Sequence, residues 1–178
     1  MLAAPHPSQA EHLENAAFDA LLWSLSRPGQ SRTLPEPGEA PIIKALLDRE
    51  CRVYSADPLL LPEIMRTGAE VADIGVADHV FLGAQASPAQ LADIAIGSDL
   101  YPDNGATVIV RARFDQGSAL RLTGPGVNGD HVLSLGGLPD GFWAARDARL
   151  RYPMGFDLIL VDGARIIGLP RSTKVEVL

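Results

Sequence analysis

Residues 156 to 169 constrain the fold of this chain more than any other segment. Leu158 to Val161 are apolar at every position, so a strand there presents apolar side chains on both faces and needs cover on both. Asp162-Gly163 follows, and this pair suits a type I′ turn into a second strand, Ala164 to Leu169. We therefore predict a β-hairpin whose first strand lies inside a sheet with helices above and below it.

Helical patterns precede and interrupt the strands. Phe18, Leu21, Leu22 and Leu25 recur at i, i+3, i+4 and i+7, which predicts a first helix with this stripe buried. Further helices are predicted around Ile43 to Leu47, from Asp57-Pro58 to Gly68, from the capping box at Ser87 to Gly97, and across residues 139 to 150.

Strand patterns alternate with these helices. They are predicted at Cys51 to Tyr54, His79 to Leu82, Thr107 to Val110, Ala119 to Thr123 and His131 to Leu135. Because a chain of 178 residues is about the length of one domain, the fold class is an α/β domain built as a three-layer α/β/α sandwich with a mixed sheet. We expect residues 11 to 178 to form that domain and residues 1 to 10 to form a flexible N-terminal arm.

The charge balance disfavours two classes of partner. Twenty-two acidic residues stand against 15 basic ones, and the net charge of −7 repels phosphate backbones and anionic headgroups. No apolar run is long enough to span a membrane, and the first residues lack the pattern of a signal peptide. The sequence thus predicts a cytoplasmic protein with no nucleic acid and no membrane partner.

Motifs for metal and nucleotide chemistry are weak. The four histidines have no spacing that aims two rings at one ion, and Cys51 is the single cysteine, so we predict no metal site. Residues 124 to 129 match G-x-G-x-x-G, but a strand pattern follows where a nucleotide site requires a helix, which favours a turn. His131 beside Asp130 could act as an acid/base pair, but a surface turn histidine is the commoner outcome for this pattern.

One short segment concentrates basic and hydroxyl groups. Arg171, Ser172, Thr173 and Lys174 place two cations and two hydroxyls in four residues of an otherwise acidic chain. They could hold a phosphate or phosphonate oxygen. The structural alternative is that Arg171 bridges a carboxylate while the hydroxyls satisfy turn amides. Both interpretations are kept as a candidate anion site or interface.

A series of turn motifs runs along the chain in a fixed order. Its positions are Arg27, Pro28, Gly29, Gly105, Thr107, Gly124, Pro125, Gly126, Pro153, Gly155, Asp157 and Pro170. Taken in order, these motifs resemble one family, the PhnH proteins of the bacterial carbon-phosphorus lyase system for phosphonate breakdown. The resemblance spans residues ~16 to 178 and rests on the order and spacing of these turns.

This resemblance implies a fold similar to the pyridoxal-phosphate-dependent transferases and a role in the carbon-phosphorus lyase core complex with subunits G, I and J. That complex takes part in forming a ribose 1-alkylphosphonate 5-triphosphate from ATP and an alkylphosphonate. Family members are not known to carry the catalytic residues, and a homodimer is expected for the isolated chain. The resemblance therefore implies no catalytic residues here.

The lysine content bears on the pyridoxal cofactor. Of the 15 cationic residues only Lys44 and Lys174 are lysines. A pyridoxal enzyme needs a Schiff-base lysine and an anionic partner for the ring nitrogen. Lys44 lies on a helix beside Leu46 and Leu47 and Lys174 opens a terminal strand, so we predict the fold without the cofactor.

Two functions remain open from the sequence. The first is a non-catalytic structural or regulatory subunit, for which the alternating segment Lys174 to Leu178 offers a strand that could pair with another subunit or a second copy. The alternative is a small-molecule binding or transferase protein with its own site around Arg171 to Thr173.

Overall fold

A computed structural model describes residues 6–178 of the chain. Within them the helices are α1 (Gln9–Ser26), α2 (Ala40–Leu46), α3 (Leu61–Thr67), α4 (Pro88–Asp93) and α5 (Phe142–Arg149). The strands are β1 (Arg32–Thr33), β2 (Arg52–Ser55), β3 (Glu70–Val71), β4 (His79–Gly83), β5 (Thr107–Arg111), β6 (Arg113–Thr123), β7 (His131–Gly136), β8 (Asp157–Asp162), β9 (Arg165–Leu169) and β10 (Lys174–Val177).

The first helix begins inside the segment expected as an arm. Ser8 caps α1: its hydroxyl accepts from the Glu11 amide, and the Glu11 carboxylate accepts from the Ser8 amide in return. This reciprocal capping box lets α1 start at Gln9. Residues 1 to 5 of the expected arm lie outside the described residues.

The main sheet has seven strands in the order β1-β9-β8-β5-β4-β2-β3. The neighbours from β8 through β5, β4 and β2 to β3 are parallel, whereas β9 and β1 add antiparallel at the other end. The α/β class and the mixed sheet are therefore confirmed.

The hairpin of β8 and β9 forms as predicted, but its turn lies one residue later. Asp162 pairs with Arg165, which leaves Gly163 and Ala164 as the two loop residues. Gly163 has φ of 61° and Ala164 has no positive φ. A type I′ turn needs positive φ at both positions, so the prediction of that turn at Asp162-Gly163 is wrong, and the geometry fits a type II′ turn with glycine first.

Two apolar clusters lie on opposite faces of the main sheet, because successive strand side chains alternate. Ile159 and Val161 join the cluster that includes residues of α1, α2 and α3. Leu158 and Leu160 join a cluster with α4 and α5. That second face also carries a separate antiparallel sheet, β10-β6-β7, which the sequence analysis did not distinguish from the main one.

The buried face of α1 differs from the predicted stripe. Leu21 is buried, but Phe18 and Leu22 are 49% and 56% exposed, and the other buried residues are Ala17, Ala20 and Ser24. A β-carbon placed on Gly168 of β9 would lie 2.6 Å from the Ser24 carbonyl carbon. This close approach of helix to strand admits only small side chains, so size rather than hydrophobicity decides which face is buried.

Two other helix boundaries depart from expectation. Asp57 caps a 3₁₀ turn, Pro58–Leu60, before α3 begins, and Gly68 ends α3 in the left-handed conformation as predicted. The Ser87 capping box starts α4 as predicted, but α4 ends at Asp93 rather than near Gly97. Ile94 is already extended and fully buried, so packing ends the helix before glycine does.

Candidate functional site

Arg171 and Asp157 form the best-connected ion pair of the candidate segment. Asp157 opens β8 and Arg171 follows β9, so the hairpin brings them to the same end of the main sheet. The Arg171 amide donates to Asp157 Oδ1 at 2.8 Å, and Arg171 Nη2 donates to Oδ2 at 2.8 Å. Their side chains are only 16% and 24% exposed. This is the carboxylate bridge that the structural interpretation of Arg171 requires.

The rest of the Arg171 guanidinium is also used within the protein. Nη1 donates to the Pro102 carbonyl, and Nη2 lies 3.4 Å from the Gly105 carbonyl. A β-carbon on Gly105 would overlap the Gly155 carbonyl and the guanidinium, so only glycine fits there. Arg171 therefore joins three loops of the chain instead of facing solvent as a free anion receptor.

Arg146 on α5 holds the same loop from the other side. It is 2% exposed and donates to the carbonyls of Leu169 at 3.3 Å, Pro170 at 2.9 Å and Thr173 at 3.1 Å. Burial lowers the pKa of its guanidinium to about 10, opposed by the charges of Asp157 and Asp147. It remains a cation at neutral pH. No sequence motif indicated Arg146 as a structural residue, although it lies one turn after the buried Phe142 on the same helix face.

The other three residues of the segment do not converge with Arg171 on one point. Thr173 is buried, its amide donates to the Pro170 carbonyl at 2.9 Å, and its hydroxyl has no hydrogen-bond partner among residues 6–178. Ser172 is half-buried, whereas Lys174 is exposed at the start of β10. All four line an open cavity of about 340 Å³.

The motif positions at the start and middle of the chain contact each other. A β-carbon on Gly126 would lie 2.7 Å from the Ser26 carbonyl oxygen and 2.8 Å from Pro28 Cδ. The turn Arg27-Pro28-Gly29 therefore packs directly on the turn Gly124-Pro125-Gly126. A β-carbon on Gly124 would likewise lie 2.7 Å from the Ser172 carbonyl oxygen, which links this pair of turns to the candidate segment.

The remaining motif positions lie around Asp157, at the amino end of β8. Thr107 pairs with Asp157 in the parallel register of β5 and β8. Pro153 lies in a tight turn in which Arg151 and Met154 exchange two backbone hydrogen bonds, at 2.8 and 3.0 Å. The Gly155 amide donates to the Ile96 carbonyl at 2.9 Å.

The glycine-rich stretch 124 to 129 connects β6 and β7, so its interpretation as a turn between strands is confirmed. Asp130 pairs with Arg121 at 3.5 Å, while the His131 ring lies against Gly29. The two residues thus face different neighbours. Within residues 6–178 no group of three or more histidine, cysteine, aspartate or glutamate side chains is placed to hold a metal ion.

The single cysteine and the two lysines lie at separate places. Cys51 is half-buried between α2 and β2, and burial raises the pKa of its thiol. Lys44 pairs with Glu63 at 3.5 Å, and Lys174 is exposed on β10. No helix in the described part of the chain is long and apolar enough to cross a membrane.

A second ion-pair cluster, absent from the sequence prediction, lies at the carboxyl ends of the parallel strands. Arg111, the last residue of β5, donates to Glu39 at 2.6 and 3.0 Å and to Asp57 at 3.2 Å. Glu39 is 3% exposed, and hydrogen bonding to it raises the pKa of Arg111. The cluster ties the start of α2 and the loop after β2 to the sheet.

The sequence was compared with known proteins. Residues 6–176 match the family described as Bacterial phosphonate metabolism protein (PhnH). A protein of Stutzerimonas stutzeri named C-P lyase subunit protein HtxG is 34% identical over 171 residues, covering 92% of this chain and 86% of the relative. The alpha-D-ribose 1-methylphosphonate 5-triphosphate synthase subunit PhnH of Rhizobium meliloti (strain 1021) is 30% identical over 180 residues, covering 90% and 89%. With this match over nearly its whole length, and with the family's turn motifs packed on one another around Arg171, the chain belongs to the PhnH family of bacterial phosphonate metabolism proteins.

Proposed function

We propose that this chain is a non-catalytic, structural or regulatory subunit of the carbon-phosphorus lyase core complex in organic phosphonate catabolism. It assembles with subunits G, I and J in the cytoplasm and forms a homodimer when isolated. Its fold is a three-layer relative of the pyridoxal-phosphate-dependent transferases that works without the cofactor. The names of the two relatives support the complex: one is a C-P lyase subunit and the other a subunit of a ribose 1-methylphosphonate 5-triphosphate synthase.

One observation carries the non-catalytic role. The polar groups of the family motifs form hydrogen bonds within this chain: Arg171 binds Asp157 and the carbonyls of Pro102 and Gly105. A residue that binds substrate instead keeps hydrogen-bonding groups available for it. These motifs therefore serve to hold the loops of the domain in a fixed arrangement, as a subunit that presents surfaces to partners requires.

The test is turnover by the reconstituted complex. Subunits G, I and J are assembled with the wild-type chain or with a His131→Gln variant, which removes the acid/base candidate. Formation of alpha-D-ribose 1-methylphosphonate 5-triphosphate from ATP and methylphosphonate is then measured. We expect rates within about twofold of each other, whereas loss of a general acid or base costs roughly 10²–10⁴ in rate. A loss of that size would overturn the non-catalytic assignment.

A further inference from the structure

The outer edge of β10 carries unpaired backbone groups. Residues of β10 pair antiparallel with β6, and the Leu178 amide donates to the Ala119 carbonyl at 2.9 Å. Hydrogen-bonded pairs alternate along an antiparallel ladder, so Glu176 and Lys174 also bond to β6. The amide and carbonyl groups of Val175 and Val177 therefore face away from β6, and β10 is an end strand of its sheet.

The groove beside this edge consists of three neighbouring cavities. Its central part, about 460 Å³, lies between β10 and α5 and is lined by Val175, Val177, Trp143 and Asp147. It shares Trp143 and Val177 with a neighbouring cavity of about 450 Å³ at the turn before α5. At the other end it shares Asp147 and Lys174 with the cavity of about 340 Å³ beside Tyr152. These three neighbouring cavities border β10, and α5 packs against the strand beside the central one.

The dimensions suit an extended peptide. Four residues of β10 span about 13 Å, the length of a short strand. A strand added to an open edge gains main-chain hydrogen bonds there and places alternate side chains in adjacent pockets. Here the half-buried Trp143 of α5 offers an apolar contact beside the free amides.

The charges around the groove indicate which charged side chain the added strand should carry. Asp140 and Asp147 line it, and neither has an ion-pair partner within the described residues, whereas Lys174 is the one unpaired cation of the central part. Arg121 and Glu176 also line the central part and pair with each other at 3.0 Å, so the formal charges there cancel, and Asp147 is the carboxylate of this part without an ion pair among the described residues. A basic side chain on the added strand near Asp147 complements it.

A second copy of this chain fits the edge poorly. When two β10 strands pair antiparallel, Val175 of each copy bonds to Val177 of the other. This register places the Glu176 side chains of the two copies directly opposite each other. Like charges directly opposite each other on neighbouring strands are destabilising. Shifting the register by one pair brings in Thr173, whose amide and carbonyl already bond to Pro170 and Arg146.

The geometry points to the β10 edge as the docking site for an extended segment of another subunit, which adds to the sheet β10-β6-β7 as a further strand. That segment carries an apolar residue over Trp143 and a basic residue near Asp147. This inference rests on the proposed function, because it takes its partner from the same complex.

The test separates main-chain pairing from side-chain contact. Val177→Pro removes the outward amide of an exposed residue without breaking a bond to β6, since edge strands tolerate proline where the amide faces solvent. Val177→Ala is the matched control, which shortens the side chain but keeps the amide. Each tagged variant is co-purified with subunits G, I and J. We expect Val177→Pro to lower recovery about fivefold and Val177→Ala less than about twofold, because a lost pairing hydrogen bond contributes on the order of 1 kcal/mol.

Amide hydrogen exchange of the wild-type chain gives a second measurement that does not depend on a variant folding. In the complex the amides of Val175 and Val177 should exchange at least about tenfold more slowly than in the isolated chain, while those of Lys174 and Glu176, already bonded to β6, change little. Equal recovery of all variants, or unchanged exchange at both valines, overturns the inference while the proposed function stands. Protection of both valines in the isolated chain that rises with protein concentration assigns the edge to a second copy and also overturns it. If the wild-type chain recovers no subunit, the proposed function fails and this inference with it.

Discussion

Arg171 holds Asp157 through both its backbone amide and its guanidinium, each at 2.8 Å, and so closes the amino end of β8 against the loop after β9. Removing one member of a mostly buried pair leaves the other charge without its partner. We expect Arg171→Ala to lower the free energy of unfolding by about 2–4 kcal/mol. Urea unfolding checks this, with the exposed Arg151→Ala, which loses only the Asp99 pair, as the control. Equal losses in the two variants would contradict the central position given to Arg171.

Arg146 is expected to act on the same loop through carbonyl groups instead of a carboxylate. Arg146→Met removes the guanidinium donor from the carbonyls of Leu169, Pro170 and Thr173, although the Pro170 carbonyl keeps the Thr173 amide. We expect a loss of about 2–4 kcal/mol of stability together with faster amide exchange across residues 169 to 173. Arg149→Met, which removes a single bond to the Ile94 carbonyl, is the matched control and should cost about 1 kcal/mol. An Arg146→Met variant as stable as this control would rule out the role given to Arg146.

The contact between the two glycine-containing turns is testable with two similar substitutions. Gly126 and Gly129 both have positive φ, 83° and 76°, so alanine is strained at either position. Only Gly126 has a close neighbour, the Ser26 carbonyl, whereas a β-carbon on Gly129 meets nothing within 4 Å. Gly129→Ala should cost about 1 kcal/mol and Gly126→Ala at least about 2 kcal/mol, measured by urea unfolding. Similar losses would mean that the turns are not pressed together.

His79 on β4 predicts a pH dependence of stability. Burial lowers the pKa of its imidazole, although the charges of Asp78 and Asp48 act in the opposite direction. The unfolded chain takes up a proton near the ordinary pKa of about 6.5 while the folded chain does not, so the stabilisation is present above pH 6.5 and is lost as pH falls through the lower folded pKa. Between pH 7.5 and 5.5 the wild type should therefore lose more free energy of unfolding than His79→Leu. Parallel losses would contradict this.

Local sequence patterns predicted elements better than they predicted faces and contacts. The apolar run Leu158 to Val161 correctly indicated a strand covered on both sides, because a strand with apolar side chains on both faces needs cover on both. The first helix was found but its buried face was not, since the approach of Ser24 to Gly168 depends on two segments far apart in the chain.

For the candidate segment too, the sequence indicated local features but not long-range contacts. The sequence identified Arg171 as a cation worth explaining and offered a carboxylate bridge as one explanation. It could not select Asp157 as the partner or reveal Arg146, because the burial of that arginine depends on where α5 packs. The edge groove likewise follows from the placement of α5 beside β10.

Membership of this chain in a larger assembly can be measured by native mass spectrometry. The tagged chain is co-expressed with subunits G, I and J and purified through its tag under non-denaturing conditions. We expect an assembly whose mass contains this chain together with all three other subunits. Recovery of the chain alone, as a monomer or homodimer, would rule out the proposed role as a subunit.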